Sequence, residues 1–479
     1  MTDTASARPR SPFQRSSLIL TMALLSCAPA PVTYPDILLF VIDTARADAV
    51  SAYGSKLQTT PTLDALAAGG LRYSRAYANA PWTVPSHVTL FTGLLPHAHK
   101  AGWPTPGADD SLEMLAERLR ALGYQTFGAS ENPWVGNTFG LGQGFDEFVE
   151  ADAAVEGLMP RLRTWLAERN PARPSFVFVN VIDPHWPYAV QDQNPFLPEG
   201  VTDAEAASVV QWPPDYFCSE GDHARAWSVQ YGLYLAEMRA ADRKLERVHS
   251  AVSASAARAL VTMVTSDHGE HFGEASLGNH QFSLRDPLLH IPLIVHGWPD
   301  TEPAVIDSPV QLADIVPTIL DLLQEPVPSE LPGQPLPTHP SQPTASRVLS
   351  AEYTDPETPG PGTAVPLVAL GRAQLRTLRA KCTPEDRVWG SMQAVISYPH
   401  KLIRFERFAP ELYDLDDDPR EERNLALERP EEVRRLGLAV ATPGQSALDD
   451  LGQMDAADSL DGVPSPVLDQ LRSLGYIGE

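Results

Sequence analysis

One apolar run, Asp36-Ile-Leu-Leu-Phe-Val-Ile-Asp43, is the best guide to the architecture of this chain. A continuous apolar run with β-branched residues is typical of a strand buried on both faces of a parallel sheet. Similar runs occupy residues 176–182 and 260–265, and helical patterns lie between them at residues 111–122 and 227–248. Alternating strands and helices predict an α/β sheet that is covered by helices on both faces.

Each of the three predicted strands ends in polar residues that include an aspartate. The carboxyl ends of parallel strands meet at one edge of a sheet, where ligands bind in folds of this class. Asp43 ends the first run, and Asp267 and His268 follow the third. Carboxylate and imidazole groups together suit a divalent metal. Taken alone, Asp43 is better explained as a helix cap, and the Asp267-His268 pair is explained equally well as a cap with a neighbouring histidine.

Hydroxyl and imidazole groups accompany these strand ends. In Pro81-Trp-Thr83-Val-Pro85-Ser86-His87, Thr83 stands just before a helix that we predict to begin at Ser86. A helix N-terminus attracts anions, and a metal-activated threonine is a competent nucleophile. His185, in a proline-flanked loop, and His280 are candidates for contacting a substrate oxygen or protonating a leaving group.

Length and composition limit the classes of function. At 479 residues the chain has room for one large domain and a smaller one. Its net charge of −25 argues against nucleic acid as a partner. The three cysteines, Cys27, Cys218 and Cys382, are too few for a disulfide framework, and whether Cys218 and Cys382 pair stays open.

The first residues are typical of a targeting segment. Three arginines precede a short apolar run at residues 18–25, and Leu24-Leu25-Ser26-Cys27 resembles the cleavage box of bacterial lipoproteins. We therefore predict a signal peptide at residues 1–27, lipid attachment at Cys27, and a location in the cell envelope on the periplasmic or outer face. An ordinary secretory signal is the alternative.

Proline content suggests the domain organisation. After a tether at residues 28–34, we predict a catalytic domain at residues 35–324. Residues 325–344 carry seven prolines, which favours an extended surface connection. Residues 345–479 form the predicted small C-terminal subdomain, with an antiparallel sheet, a helix, and a last short helix and tail from residue 466.

Several ordered motifs resemble the sulfatase family of the alkaline phosphatase superfamily, from about residue 35 to the end. They are Pro35-Asp-Ile-Leu-Leu-Phe-Val-Ile-Asp43-Thr-Ala-Arg46-Ala-Asp48, Thr60-Pro-Thr-Leu-Asp64, Pro85-Ser86-His87, Leu90-Phe-Thr-Gly93, Asp183-Pro-His185-Trp-Pro-Tyr188, Ser266-Asp-His-Gly-Glu270, Ile291-Pro-Leu-Ile-Val295, Asp314-Ile-Val-Pro-Thr318, Glu411-Leu-Tyr-Asp-Leu415 and Glu422-Arg-Asn-Leu425. The resemblance implies an alkaline-phosphatase-like, mostly parallel mixed sheet flanked by helices, with a smaller C-terminal α+β subdomain.

The resemblance also implies roles for single residues. Asp43, Asp267 and His268 would bind one divalent metal ion, manganese, zinc or calcium, and Thr83 would sit on it. His185 matches the family histidine that contacts the transferred group or the leaving oxygen, and His280 lies near the position of a family lysine. Phosphodiesterases of the same superfamily also allow a second metal, near Asp183, His185 and His280.

Departures from the family pattern bear on the mechanism. Thr83 replaces the cysteine or serine that matures to formylglycine, and His87 replaces the arginine of the same motif. Thr44 replaces one of the family's paired aspartates. The segment Gly128-Ala-Ser-Glu-Asn132-Pro-Trp replaces Gly-Lys-Trp-His, and Asn132 there either donates to a substrate oxygen or forms a turn.

We predict from these residues in-line attack by Thr83 on a phosphoester, followed by hydrolysis, with sulfate ester cleavage as a further possibility. The substrate would be a small anionic ester or a sulfated or phosphorylated glycan or lipid. A sulfatase-shaped binding protein without catalysis, favoured by His87, and a transferase of phosphoryl head groups are the alternative functions.

Overall fold

The computed structural model describes residues 1–2, 34–103, 105–150, 155–191, 193–210, 223–342, 347–355, 382, 388–439, 465 and 469. The predicted signal peptide with its lipidated Cys27 lies outside these residues, apart from the first two. So does the predicted helix and tail from residue 466, apart from Asp469.

Strands and helices alternate along most of the described residues. The strands are β1 (Asp36–Ile42), β2 (Gly70–Tyr73), β3 (Ala76–Tyr77), β4 (Gln125–Ser130), β5 (Glu147–Glu150), β6 (Ser175–Val181), β7 (Leu260–Ser266), β8 (His271–Phe272), β9 (Gly278–Asn279), β10 (His290–Ile291), β11 (Leu293–His296), β12 (Ala304–Ile306), β13 (Val310–Gln311), β14 (Leu349–Tyr353), β15 (Met392–Ser397), β16 (His400–Phe405) and β17 (Glu411–Asp414). The helices are α1 (Pro61–Ala68), α2 (Thr83–Thr92), α3 (Pro96–His99), α4 (Leu115–Ala121), α5 (Val155–Glu168), α6 (Asp203–Val209), α7 (Ala224–Ser255), α8 (Asp286–Leu289), α9 (Ile315–Leu322) and α10 (Pro430–Ala439).

An eight-stranded sheet, in the order β12-β2-β11-β7-β1-β6-β4-β5, forms the centre of the molecule. Strand β1 runs parallel to both of its neighbours, β6 and β7, and β11 pairs antiparallel with β2 and β7. The three apolar runs of the sequence are therefore three adjacent strands in the middle of the sheet. The predicted α/β architecture, mostly parallel and mixed, is confirmed.

Both faces of β1 are covered. Ile37, Leu39 and Val41 pack into one hydrophobic cluster, and the alternate residues of the strand pack into a second cluster that includes apolar residues of α7. Successive side chains of a strand point to opposite faces, so a strand covered on both sides needs apolar residues throughout. This is why the run shows no polar alternation.

A smaller antiparallel sheet, in the order β14-β15-β16-β17, forms the C-terminal part together with α10. Val395, Leu402 and Leu412 pack against Leu436 of the helix. The predicted C-terminal α+β subdomain is confirmed, and the exact domain boundaries stay predictions. Cys382 is disulfide-bonded.

Two local expectations need correction. The helix predicted at residues 111–122 begins only at Leu115, because the Glu117 carboxylate accepts the N–H of Met114 and so caps the helix there. The proline-rich connection is not wholly a surface segment. Its Leu331 and Leu336 are buried in the main core, since prolines exclude helix but leave the side chains between them free to pack.

No helix in the described part of the chain is long and apolar enough to span a membrane.

Candidate active site

The ends of the central strands meet as the sequence predicts. Ile42 of β1 pairs with Val181 of β6 and with Ser266 of β7, so the residues after these strands lie side by side. Ligand atoms of Asp43, Asp267 and His268 all lie within 4.8 Å of one another, and all three side chains are fully buried. The structure therefore brings together the three predicted protein ligands of a metal.

The chemistry of this cluster fits a cation. Asp43 Oδ1 and Asp267 Oδ2 are buried and accept no hydrogen bond from the residues that the structure describes. Burial first, and then the charge of Asp267, raise the pKa of Asp43 well above its ordinary value, and burial raises the pKa of Asp267. Two buried carboxylates at such short range are costly unless a positive charge lies between them.

His268 has the orientation of a metal ligand. Its Nδ1 atom lies 2.9 Å from the carbonyl oxygen of Gly269, and because a carbonyl only accepts, Nδ1 carries the hydrogen. The lone pair of Nε2 is thus left facing Asp267, whose Oδ2 atom is 3.3 Å away. Metal-binding histidines commonly hold their second nitrogen in this way.

Thr83 is the first residue of α2, and the prediction that this helix begins at Ser86 is wrong. Proline is compatible with a first helical turn, where N–H groups have no partner within the helix, so Pro85 does not delay the start. The Thr83 hydroxyl oxygen lies 3.5 Å from His268 Nε2, beside the carboxylates. Thr83 therefore lies at the N-terminus of a helix and also beside Asp43, Asp267 and His268, which we call the ligand cluster.

His87 lies one helical turn after Thr83. Its Nδ1 atom is 3.0 Å from the Thr83 carbonyl oxygen and 3.5 Å from Asp267 Oδ2. Burial lowers the pKa of His87, so the ring is neutral near pH 7. The position that carries an arginine in the family pattern thus supplies no positive charge in this chain.

Asn132 holds a predicted metal ligand. Its side-chain amide donates to Asp43 Oδ2 at 2.6 Å, and its Oδ1 atom accepts the N–H of Trp134 at 2.9 Å. Of the two roles the sequence left open, the turn is present, and the contact with a substrate oxygen stays a prediction. Asn132 therefore orients the carboxylate of the ligand cluster.

His185 and His280 lie on one side of the ligand cluster. Their rings are 5.1 Å apart, and the His280 ring is 4.6 Å from that of His268. Burial lowers the pKa of both His185 and His280 to about 3, so both rings are neutral at pH 7 in the absence of substrate. A bound anion raises the pKa of a neighbouring histidine, which is the condition under which these rings would carry a proton.

Glu270 has no predicted role in the site, although it lies beside the predicted histidines. Its carboxylate is fully buried, with Oε2 3.5 Å from His280 Nδ1, and burial raises its pKa to about 7. The sequence signal that could have identified Glu270 as a site residue is its position two residues after His268. Asp183, which the two-metal alternative uses as a ligand, contacts Lys244.

Comparison with known proteins shows the family of this chain. The model of the sulfatase family matches residues 35–325, more than half of the chain. The chain belongs to the sulfatase family. This membership confirms the predicted class of enzyme, a hydrolase of sulfuric or phosphoric esters, and the family is metal-dependent.

Relatives of this sulfatase-family chain include the uncharacterised sulfatase YidJ of Escherichia coli (strain K12), 26% identical over 358 residues, which span 63% of this chain and 70% of the relative. A Δ4,5-hexuronate-2-O-sulfatase of Bacteroides thetaiotaomicron is 25% identical over 465 residues, which span 85% of this chain and 87% of the relative. Both matches extend well beyond the single motifs that carry the resemblance in the sequence.

Two solved structures share the fold. A protein in complex with its substrate D-glucosamine-2-N,6-O-disulfate superposes with a TM-score of 0.66 at 18% identity, over 87% of this chain and 99% of the other. The phosphonate monoester hydrolase of Agrobacterium radiobacter superposes with a TM-score of 0.65 at 21% identity, over 87% and 95%. The alkaline-phosphatase-like fold predicted from the resemblance is thus confirmed.

Proposed function

We propose that this protein is a metal-dependent hydrolase of phosphate or phosphonate esters with Thr83 as its nucleophile. Sulfate esters are the second candidate substrate class, favoured by membership of the sulfatase family. The observation that carries the proposal is the position of the Thr83 hydroxyl, 3.5 Å from His268 Nε2, at the cluster that His268 forms with Asp43 and Asp267. A nucleophile and a ligand set are thereby kept together in one buried site.

Asp43, Asp267 and His268 would hold the metal ion. When bound, a divalent ion lowers the pKa of a hydroxyl beside it and offsets negative charge on the group that is transferred. Thr83 also stands at the N-terminus of α2, whose free N–H groups and dipole favour an anion. Asn132 keeps the Asp43 carboxylate in place through its 2.6 Å hydrogen bond.

The reaction takes place in two displacements. The Thr83 oxygen loses its proton and attacks phosphorus, so that a bond from Thr83 Oγ1 to phosphorus forms as the bond to the leaving oxygen breaks. The leaving oxygen takes up the proton that Thr83 has lost, and His185 and His280 are the side chains we propose to accept that proton and deliver it. Water then attacks phosphorus and breaks the bond to Thr83, which regains its hydroxyl.

The chemistry of threonine supports phosphorus over sulfur as the centre of attack. A formylglycine ester is released by breaking a carbon–oxygen bond after its hemiacetal collapses. A threonine ester has no such route and must be hydrolysed at the central atom. Transfer of the phosphoryl group from the ester to threonine, and then from threonine to water, breaks bonds at phosphorus in both steps and so meets this requirement.

A panel of nitrophenyl esters tests the proposal. The sulfate, the phosphate monoester, the phosphate diester and a phosphonate monoester are assayed with manganese, zinc or calcium, for the wild type and for Thr83→Ala. We expect turnover of a phosphorus ester that Thr83→Ala abolishes. Turnover of the sulfate alone would contradict the preference for phosphorus, and no turnover by a folded, metal-binding protein would favour a binding function.

We also propose that the chain is a lipoprotein of the cell envelope, on the basis of the box that ends at Cys27. Radiolabelled fatty acid added to a bacterial host should label the wild type but not Cys27→Ala. Equal labelling of both, or labelling of neither, would contradict the anchor.

A further inference from the structure

One face of α7 carries two ionisable side chains, Glu237 and Lys244. Seven residues correspond to almost two helical turns, so both point towards the loop that follows β6. Lys244 Nζ lies 2.7 Å from Glu131 Oε2 and also contacts Asp183 Oδ2. One ammonium group therefore joins the carboxylates of two loops, which follow strands β4 and β6.

The first of these loops leads to the ligand cluster. Glu131 is buried and follows the last residue of β4, and its Oε2 atom also accepts the N–H of Ile182 at 3.0 Å. The next residue, Asn132, donates to the Asp43 carboxylate. Glu131 thus ties the end of β4 to the end of β6, at the point where Asp43 is held.

The second loop carries a predicted catalytic histidine. Asp183 is the second residue before His185, and the N–H of His185 donates to the carbonyl oxygen of Ile182 at 2.8 Å. Glu237 accepts the N–H of Ala189, farther along the same loop, at 3.1 Å. The loop of His185 is therefore fastened to α7 at both ends.

We propose that Lys244 is a positioning residue for the hydrolysis, and that it places His185 and Asn132 by holding Asp183 and Glu131. The role of His185 rests on the proposed function. Among the described residues, Lys244 places a cation between Glu131 and Asp183, and burial together with the negative charge of Asp183 raises the pKa of Glu131. Without that cation the carboxylates repel one another, and the loops they belong to move apart.

Such a movement has a distinctive kinetic effect. A displacement of about 1 Å in a catalytic group can lower a rate by about 100-fold. Because His185 is proposed to act at the leaving oxygen, the loss should grow with the need of that oxygen for a proton. A nitrophenolate leaves without one, whereas an alkoxide needs one. A variant that merely lowers the folded fraction slows both kinds of ester equally.

Lys244→Met, which removes the charge and keeps the stem, tests the proposal, with Lys401→Met as its matched control. Lys401, which is fully buried, likewise lies between two carboxylates, 2.6 Å from Asp286 and 2.7 Å from Glu421, but it belongs to the C-terminal sheet. We expect Lys244→Met to lower kcat by about 100-fold for an alkyl ester and by less than about tenfold for the nitrophenyl ester of the same acid. Lys401→Met should leave the ratio of the two rates unchanged, and Lys244→Arg should restore it in part.

An equal loss for both esters in Lys244→Met, or a changed ratio in Lys401→Met, would overturn the proposal. If Lys244→Met does not fold, Glu131→Gln serves instead, because it removes one carboxylate charge but keeps an acceptor for the N–H of Ile182. We expect it to change the ratio of the two ester rates in the same direction, but by less.

Hydrogen exchange separates this proposal from the proposed function. Amides of residues 182–189 should exchange faster in Lys244→Met than in the wild type or in Lys401→Met. A wild type that hydrolyses no ester would refute the proposed function, and faster exchange would then still show that Lys244 orders the loop. Unchanged exchange in Lys244→Met would refute the positioning role whether or not the protein is active.

Discussion

Glu237→Gln should make the protein more stable at alkaline pH and leave its stability unchanged in acid. Glu237 is buried on α7. Burial, followed by a hydrogen bond to Asp183 and the charge of Asp183, raises its pKa from an ordinary 4.5 to about 7. Between these two pH values the folded chain retains a proton that the unfolded chain has lost, so the free energy of unfolding falls as pH rises.

The size of the effect follows from these two pKa values. One pH unit corresponds to about 1.4 kcal/mol, so the range from 4.5 to about 7 is equivalent to roughly 3 kcal/mol. Above about pH 7 the folded protein therefore bears a cost of up to roughly 3 kcal/mol for the ionised carboxylate. Glutamine has the shape of the protonated acid and can donate to Asp183 in its place, so the variant avoids this cost.

The assay is denaturant unfolding at about pH 5 and about pH 8. The loss of unfolding free energy caused by the ionisation of Glu237 is small at the lower pH and complete at the higher pH. We expect Glu237→Gln to exceed the wild type by up to roughly 3 kcal/mol at the higher pH and to match it more closely at the lower. Glu246→Gln, on the exposed side of the same helix, is the control for the substitution itself. A gain equal at both pH values, or a loss at the higher one, would refute the reasoning.

Two further predictions concern the ligand cluster. Asn132→Ala should lower the affinity for a divalent ion by about 10- to 100-fold, because the Asp43 carboxylate loses the 2.6 Å hydrogen bond that orients it. Competition with a fluorescent chelator measures the affinity, and an unchanged affinity would contradict the prediction. Manganese or calcium at about 100 times its Kd should stabilise the wild type by roughly 2.7 kcal/mol, and the same ion concentration should stabilise Asp267→Asn by less than about 1 kcal/mol. An equal gain in both proteins, measured by denaturant unfolding, would place the ion elsewhere.

The fold could be predicted because its central strands are read directly from the sequence. Covered on both faces, β1, β6 and β7 need continuous apolar runs, and each run is bounded by polar residues. The parallel register then brings Asp43 beside Asp267 and His268, so these candidate ligands follow from the strand ends. Element ends were less predictable, since they depend on single capping contacts such as that of Glu117.

The supports of the site could not be predicted in the same way. Lys244 lies far along the chain from Glu131 and Asp183. The pattern of α7 does not distinguish this lysine from the other polar residues of the helix. Its role depends on how α7 packs against the loops after β4 and β6, which local periodicity does not encode. The sequence predicts Asn132 as a site residue, but its hydrogen bond to Asp43 is seen only in the tertiary structure.

Acid quenching of the enzyme during turnover of a phosphorus ester tests the role of Thr83 most directly. Mass spectrometry of the digested protein should find a phosphoryl or phosphonyl group on Thr83, in the peptide that contains the first turn of α2. The same treatment of Thr83→Ala should give neither the adduct nor turnover. Undiminished turnover by Thr83→Ala, or an adduct on another residue of the wild type, would contradict the threonine mechanism.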